Sequence, residues 1–428
     1  MGVGKGAYTE VGAEAPRLRA ATDIPKGEEG ITVNQSEGPS GGQPFEFRAP
    51  SIIKVGWGAF RTALPQLLAE AGVQRPLLVT DPIVGKLSAV VETIEALSSS
   101  VRFVDTFDAI PGEPTFLEVE AGARAVSDTG CDGLVAVGGG AVIDTAKAMA
   151  GLAASPGDLA SYTGMDRFPK QGIPVIAVPT TAGTGSEVTR VTVLTDPATH
   201  AKLMSADRKL IPRVALIDPS LTVGAPPKVT ASSGLDALTH AIEAYVSRKA
   251  NPITDSLALA AIRRLAWALP RAYADGKDVA ARSAAAIGAL EAGLAFTNAS
   301  VALVHGMARP LGVVFGVPHG ISNAMLLPTV SAYSMPAAPK RYREVAEALG
   351  VNTKELDDLT AAQKGIEFIE ALSRGMGIPS LGAYGIDRAE LESQAPRMAQ
   401  DAIASGSPSN NPRVLTADEI VSLYIQAY

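Results

Sequence analysis

Apolar positions along this chain follow two rhythms. From Phe47 to about Pro226, short apolar runs near 51–55, 76–80, 101–105, 133–137, 173–178 and 213–217 alternate with helical patterns that include 60–72, 83–98, 116–128 and 142–153. Such runs, apolar throughout and bounded by glycine, proline or polar residues, read as strands buried on both faces. Strand and helix in alternation predict a mainly parallel, Rossmann-like sheet covered by helices. Beyond about Pro226 the strand signals fade, and stretches such as SLALAAIRRLAWAL and RSAAAIGALEAGLAF read as helices. The expected fold class is an α/β N-terminal domain over 47–226 followed by an all-α C-terminal domain over 227–428. Residues 1–46 hold nine glycines, four prolines and little apolar periodicity, and read as a flexible N-terminal extension. No internal repeat is evident.

Composition narrows the function classes. A chain of 428 residues, 46% hydrophobic and 19% charged, can bury a large core. A net charge of −7 without a dense basic run tells against a nucleic-acid partner. The single cysteine, Cys131, excludes an internal disulfide framework and is compatible with a reducing cytoplasm. No stretch is expected to reach the length of a transmembrane helix, and no N-terminal apolar core marks a signal peptide, so no membrane partner is expected.

Three segments carry candidate chemistry. In GLVAVGGGAVIDTAKAMA, Gly133 to Val137 reads as a strand, Gly138, Gly139 and Gly140 as a turn, and the rest as a helix. Glycines allow close backbone approach, and free N–H groups at a helix start attract an anion such as a phosphate. The plainer reading is a tight strand-to-helix turn. In IPVIAVPTTAGTGSEVTR, a strand leads into Thr180, Thr181, Thr184 and Ser186, whose hydroxyls suit phosphate, ribose or amide groups. A merely polar loop is the alternative. The third segment set holds three of the four histidines. Asp236 and His240 lie four residues apart in GLDALTHAIEAY, hence on one helix face. His305 and His319 bracket HGMARPLGVVFGVPH, where a glycine-rich break lets two backbone segments converge. Three imidazoles and a carboxylate suit iron, zinc or nickel better than magnesium or calcium. An Asp-x-x-x-His pair on an apolar helix is common without a metal, and His305 and His319 taken singly also fit satisfied core positions. The fourth, His200, sits among turn formers and is expected at the surface.

Together these segments resemble the iron-containing, or group III, alcohol dehydrogenase family, which shares a dehydroquinate synthase-like fold. The resemblance runs from about Phe47 to the C-terminus. GGGAVIDTAKA, PTTAGTGSEVT, GLDALTHAIEAY, NASVALVHGMARPLG, VPHGISNAMLLP and NPRVLTADEIVSLYIQAY occur in family order. It implies that Asp236, His240, His305 and His319 hold one divalent metal, Fe(II) before Zn or Ni. It implies that Gly138, Gly139, Gly140, Thr180, Thr181 and Thr184 contact a nicotinamide dinucleotide, with Asp144, Thr189 and Lys202 also at cofactor positions. Asp81, in LLVTDPIV, matches the position that meets the adenosine ribose, where an acid favours NAD over NADP. It also implies a homodimer or higher homo-oligomer, with the active site between the two domains.

Two departures stand out. Ala141 occupies a position where many members have serine. Arg309, in HGMAR, replaces the last histidine of HxMxH, a proposed proton-relay residue. A guanidinium stays charged and cannot readily relay a proton, so the proton must leave by water or the cofactor ribose. Arg309 could instead contact a carboxylate or other polar substrate group, or pair structurally with a nearby acid. The expected activity is hydride transfer between NAD(H) and a primary alcohol or aldehyde, with the metal polarising the substrate oxygen. An oxo-acid reductase, of the maleylacetate reductase or hydroxyacid–oxoacid transhydrogenase kind, is the second enzyme reading. A dehydroquinate synthase-like lyase is the third.

Overall fold

The computed structural model describes residues 44–198 and 202–428. The expected extension, apart from 44–46, and His200 lie outside the described residues. The first half of the described chain runs β1 (Ile52–Val55), α1 (Ala59–Ala71), β2 (Pro76–Val79), α2 (Ser88–Leu97), β3 (Thr106–Phe107), α3 (Phe116–Thr129), β4 (Gly133–Gly138) and α4 (Gly140–Ala154). It continues through β5 (Gly164–Met165), β6 (Val175–Pro179), β7 (Val191–Thr195), β8 (Lys202–Ala206) and β9 (Val214–Ile217).

Six strands form one parallel sheet in the order β1-β9-β6-β4-β2-β3. Alternate side chains serve opposite faces. Leu77, Val79, Leu134, Ala136, Val175 and Ala177 pack in one core with Phe116 and Val119 of α3 and Val142 and Ile143 of α4. Leu78, Val135, Val137, Ile176 and Val178 pack in another with Phe60, Leu64 and Leu67 of α1 and Val90 of α2. Both faces are therefore covered, which explains why these strands are apolar throughout. Helix α2 follows β2 on one face, and α4 follows β4 on the other. The crevice at the C-terminal ends of β2 and β4 is a topological switch point, the place where open α/β sheets bind ligands.

The structure corrects one strand. Strand β3 covers only Thr106 and Phe107, paired with Leu78 and Val79, while just ahead of it Val104 N donates to Pro76 O at 2.9 Å and Asp105 O accepts from Leu78 N at 3.1 Å, so the edge strand is shorter and lies later than 101–105. Val101 instead donates to Leu97 O at 2.7 Å, unwinding from α2, and its apolar side chain fills the core under that helix. At Val101 the apolar pattern recorded burial, whereas Val104 and Asp105 do pair with β2. A second sheet, β5-β8-β7, went unanticipated. Its strands β7 and β8 pair antiparallel from Val191↔Ala206 to Thr195↔Lys202.

The second half is helical: α5 (Pro227–Val246), α6 (Pro252–Ala274), α7 (Val279–Ala299), α8 (Leu303–Phe315), α9 (His319–Ser334), α10 (Pro339–Ala348), α11 (Asp358–Gly375), α12 (Leu381–Tyr384), α13 (Arg388–Ala404) and α14 (Ala417–Gln426). Local chemistry marks the starts. Asn251 and Thr254 form a reciprocal capping pair ahead of α6, with Pro252 at its first position. Helix α7 reaches the length and hydropathy of a membrane-crossing helix, contrary to the sequence expectation. Its alanines and glycines instead face the helical core, where Ala285, Ala289, Ala292 and Ala295 are buried beside α5 and α6.

Candidate active site and metal centre

A cavity of ≈ 1520 Å³ is lined both by the ends of β2 and β4 and by α5, α8 and α9. Sites for drug-sized ligands occupy about 300–1,000 Å³, so there is room for a dinucleotide and a small substrate together.

The helical wall supplies charged and imidazole side chains. Asp236 and His240 project from α5, a helix whose residues from Gly234 to Val246 are all buried. His305 lies in the first turn of α8, and His319 is the first residue of α9. Between them Gly316 turns the chain with φ 66°, a left-handed conformation that glycine adopts without strain. Ligand-capable atoms of Asp236, His305 and His319 lie within 4.8 Å of one another. Asp236 Oδ1 is 3.6 Å from His305 Nε2 and 3.7 Å from His319 Nε2. His240 stands beside this trio. Its Nδ1 is 3.9 Å from Asp236 Oδ2 and is buried without a hydrogen-bond partner. Its ring stacks between Phe296, at 4.1 Å, and His305, at 4.4 Å.

Two residues that sequence reasoning missed complete this wall. Glu243 lies seven residues, two helical turns, beyond Asp236 on α5. It accepts from His305 Nδ1 at 2.6 Å, from Ala302 N at 3.0 Å and from Val304 N at 2.6 Å. It thereby caps α8, which has no side-chain cap of its own, and directs the His305 Nε2 lone pair at Asp236. A buried acid on an apolar helix at heptad spacing was the signal available. Asn323, one turn into α9 from His319, donates through Nδ2 to Asp236 Oδ1 at 2.7 Å. The same nitrogen lies 3.1 Å from His305 Nε2 and 3.2 Å from His319 Nε2. Three lone-pair atoms thus converge around one partial positive charge, an arrangement that also suits a cation.

The electrostatics agree. Burial alone would raise Asp236, but the imidazoles around it prevail and hold its carboxyl well below the usual range. Burial pushes His240 down to about 3 and His319 down to about 4, against the pull of Asp236. Both are neutral near pH 7, the form in which imidazole binds a metal. Burial also opposes charge on His305, yet Glu243 and Asp236 outweigh it and raise its pKa.

The sheet-side wall is built largely from backbone. Gly139 precedes α4, whose first-turn N–H groups lack helical partners. A Cβ on Gly140 would meet Thr184 Cγ2 at 2.8 Å, and one on Gly138 would meet Val142 Cγ2 at 2.5 Å. The 180–186 loop is clamped from the other side as well. A Cβ on Gly183 would meet Ser233 Cβ at 2.6 Å, and one on Gly185, at φ +63°, would meet Gly293 Cα at 2.6 Å. Gly139, Gly140, Thr180, Thr181, Thr184, Thr189, Lys202 and Asp81 all line the cavity, while Gly138 ends β4 just behind it.

Several of these residues are already engaged. Asp81 Oδ1 accepts from Ile83 N at 2.9 Å and Val84 N at 2.8 Å, capping the turn after β2. Asp144 accepts from Ser186 Oγ, from Val193 N at 2.9 Å and from Lys147 Nζ at 3.0 Å. Lys147 is fully buried and also donates to Ser186 Oγ, Thr189 Oγ1 and Val191 O. It ties α4 to both the 186–189 turn and β7. Beside it, burial pushes the Glu187 carboxyl up to about 7. Lys202 pairs with Glu113 at 2.9 Å across the cavity mouth.

Comparison with known proteins agrees with this arrangement. The family description "Iron-containing alcohol dehydrogenase" matches residues 50–219, and "Fe-containing alcohol dehydrogenase family, C-terminal" matches 230–428. The chain is 38% identical over 387 residues to a 1,3-propanediol dehydrogenase of Klebsiella pneumoniae, covering 90% of this chain and 99% of that protein. It is 35% identical over 378 residues to an NAD-dependent methanol dehydrogenase of Bacillus methanolicus, covering 88% and 98%. A crystal structure of 1,3-propanediol oxidoreductase superposes with a TM-score of 0.87 at 38% identity, covering 90% of this chain and all (100%) of that one. The chain belongs to the iron-containing alcohol dehydrogenase family.

Proposed function

We propose that Asp236, His240, His305 and His319 hold one divalent ion, Fe(II), beside a nicotinamide bound on the glycine turn and the 180–189 loop. Family membership brings NAD(H), a divalent metal and interconversion of alcohols with aldehydes. The observation that carries the residue assignment is the convergence of three ligand atoms within 4.8 Å in the cavity that the β4–α4 turn also lines. The partnerless His240 Nδ1 supports a fourth contact. Fe(II) rests on the family; the ligand chemistry alone also accommodates zinc or nickel.

Oxidation takes a proton from the alcohol oxygen and a hydride, with both electrons, from its carbon; reduction reverses both. When bound, a divalent ion would supply Lewis acidity toward that oxygen and a nicotinamide would supply the hydride acceptor or donor. The chain does the rest. Glu243 and Asn323 fix the ring orientation of the proposed ligands. The glycine turn and loop hydroxyls position the dinucleotide, which governs how closely the reacting carbons meet. Asp81, through its free oxygen, accepts from a ribose 2′-hydroxyl and repels a 2′-phosphate, so NAD is the preferred form. The matches to alcohol dehydrogenases along both halves favour redox over lyase chemistry. A cytoplasmic homodimer completes this reading, and the single buried Cys131 suits a reducing compartment.

His305→Ala tests the centre. The variant is expected to lose metal, measured by elemental analysis after dialysis, and nearly all NADH-linked aldehyde turnover. Full metal content with parental turnover would remove the assignment.

A further inference from the structure

Arg309 lies one helical turn beyond His305 on α8, about 6 Å along the axis. Its half-buried guanidinium lines the cavity, together with Lys249, Ser300 and Ser407. An arginine offers five N–H donors. Among the described residues, its guanidinium makes one hydrogen bond, from Nη1 to Ser407 Oγ at 3.3 Å, and no ion pair. Glu243, the acid whose field it feels, already accepts from three other donors and makes no contact with it. A structural arginine in a protein wall normally has a carboxylate against it, because a charge drawn out of water without compensation is costly. Here Arg309 lines the open cavity instead. Lys249, exposed at the same end, also has no ion pair among the described residues. Its neighbours in the wall, Ser300, Ser407 and Asn410, are neutral.

We propose that Arg309, with Lys249 at the rim, receives a carboxylate of the substrate, so that the preferred substrates are short aldehydes and alcohols bearing a carboxylate at the far end. The planar fork of a guanidinium matches a carboxylate in two parallel hydrogen bonds, and the turn between His305 and Arg309 sets a short spacing between reacting carbon and acid. This specificity rests on the reading of the Asp236–His305–His319 cluster as the place of the reacting oxygen. It assigns to Arg309 a positioning role for substrate in place of proton relay.

The test uses the full-length, metal-loaded enzyme with NADH and compares kcat/KM for succinic semialdehyde and butanal. The parent is expected to favour the semialdehyde. Arg309→Gln keeps a donor for Ser407 but removes the charge. It should lower the semialdehyde-to-butanal ratio by about ten- to a hundredfold, mainly through KM, with partial recovery in Arg309→Lys. Equal losses on both aldehydes, or a parent that favours butanal, overturn the proposal. A second measurement separates it from the wider reading. Succinate should raise the Tm of the metal-loaded, NAD-bound parent and not that of Arg309→Gln, whether or not either aldehyde is turned over. Absence of a succinate shift in the parent overturns the anion site; a shift without turnover leaves it standing and removes the cluster as the reacting centre.

Discussion

The two walls of the cavity are specified in opposite ways. The helical wall presents side chains: Asp236 and three histidines, with Glu243 bonded to His305 and Asn323 to Asp236. The sheet-side wall is made largely of side chains that must be absent. Gly138, Gly140, Gly183 and Gly185 each leave no room for a Cβ. One wall should fail by deletion and the other by addition. The reason is chemical. A metal needs lone pairs on rigid stems, whereas on the sheet side a Cβ would collide with packed protein, with Val142, Thr184, Ser233 or Gly293.

Gly185→Val offers the strongest way to break this comparison. It removes no functional group, but it places a β-branched residue at φ +63° against the Cα of Gly293. A loss of about 3–5 kcal/mol is expected, read as a large fall in melting temperature and loss of NADH binding. Parental melting and binding would show that the loop is not space-limited. Glu243→Gln probes the other wall with almost no change in volume. It should weaken metal affinity by roughly ten- to a hundredfold, measured by chelator competition. Unchanged affinity would mean that the ring of His305 is held by packing alone.

Asp81→Asn sharpens the comparison where the sheet-side wall does use a side chain. The amide oxygen can still cap Ile83 and Val84, but the charge is gone. The ratio of kcat/KM with NADH to that with NADPH should fall by about five- to tenfold. A parent that prefers NADPH would refute the role. The smallest effect is expected at Glu187. Its folded-state pKa is raised to about 7 by burial, so the folded form binds the proton more tightly than the unfolded chain. Stability is therefore lost as pH rises from the ordinary carboxylate range through about 7. Glu187→Gln should melt higher than the parent at pH 8, by about 1–3 kcal/mol, with the gap closing near pH 5. A gap independent of pH would indicate a packing effect.

The same contrast explains what the sequence disclosed. The parallel sheet was legible because strands buried on both faces are written as unbroken apolar runs. Segment 101–105 carried that signature ahead of a strand confined to Thr106 and Phe107, since burial of Val101 beneath α2 demands the same residue type. Strands β7 and β8 were missed because VTVLT and KLMSA mix polar and apolar residues on a half-covered sheet. In the site, metal-capable residues announced themselves by type and spacing. Glu243 and Asn323 did not, because their work depends on which backbone and ring atoms three separate helices bring to them. His240 illustrates the limit from the other side. Its i+4 spacing from Asp236 placed it on the right face, yet its ring turns toward Phe296, a contact 56 residues away that no local pattern encodes.

Glu243 has one more consequence. The carboxylate that orients His305 also holds the amides of Ala302 and Val304 at the start of α8. Occupancy of the ligand cluster and fraying of that first turn are therefore linked through one group. Deuterium uptake at those two amides becomes a label-free gauge of how tightly the centre is assembled, legible by mass spectrometry without any chromophore or turnover.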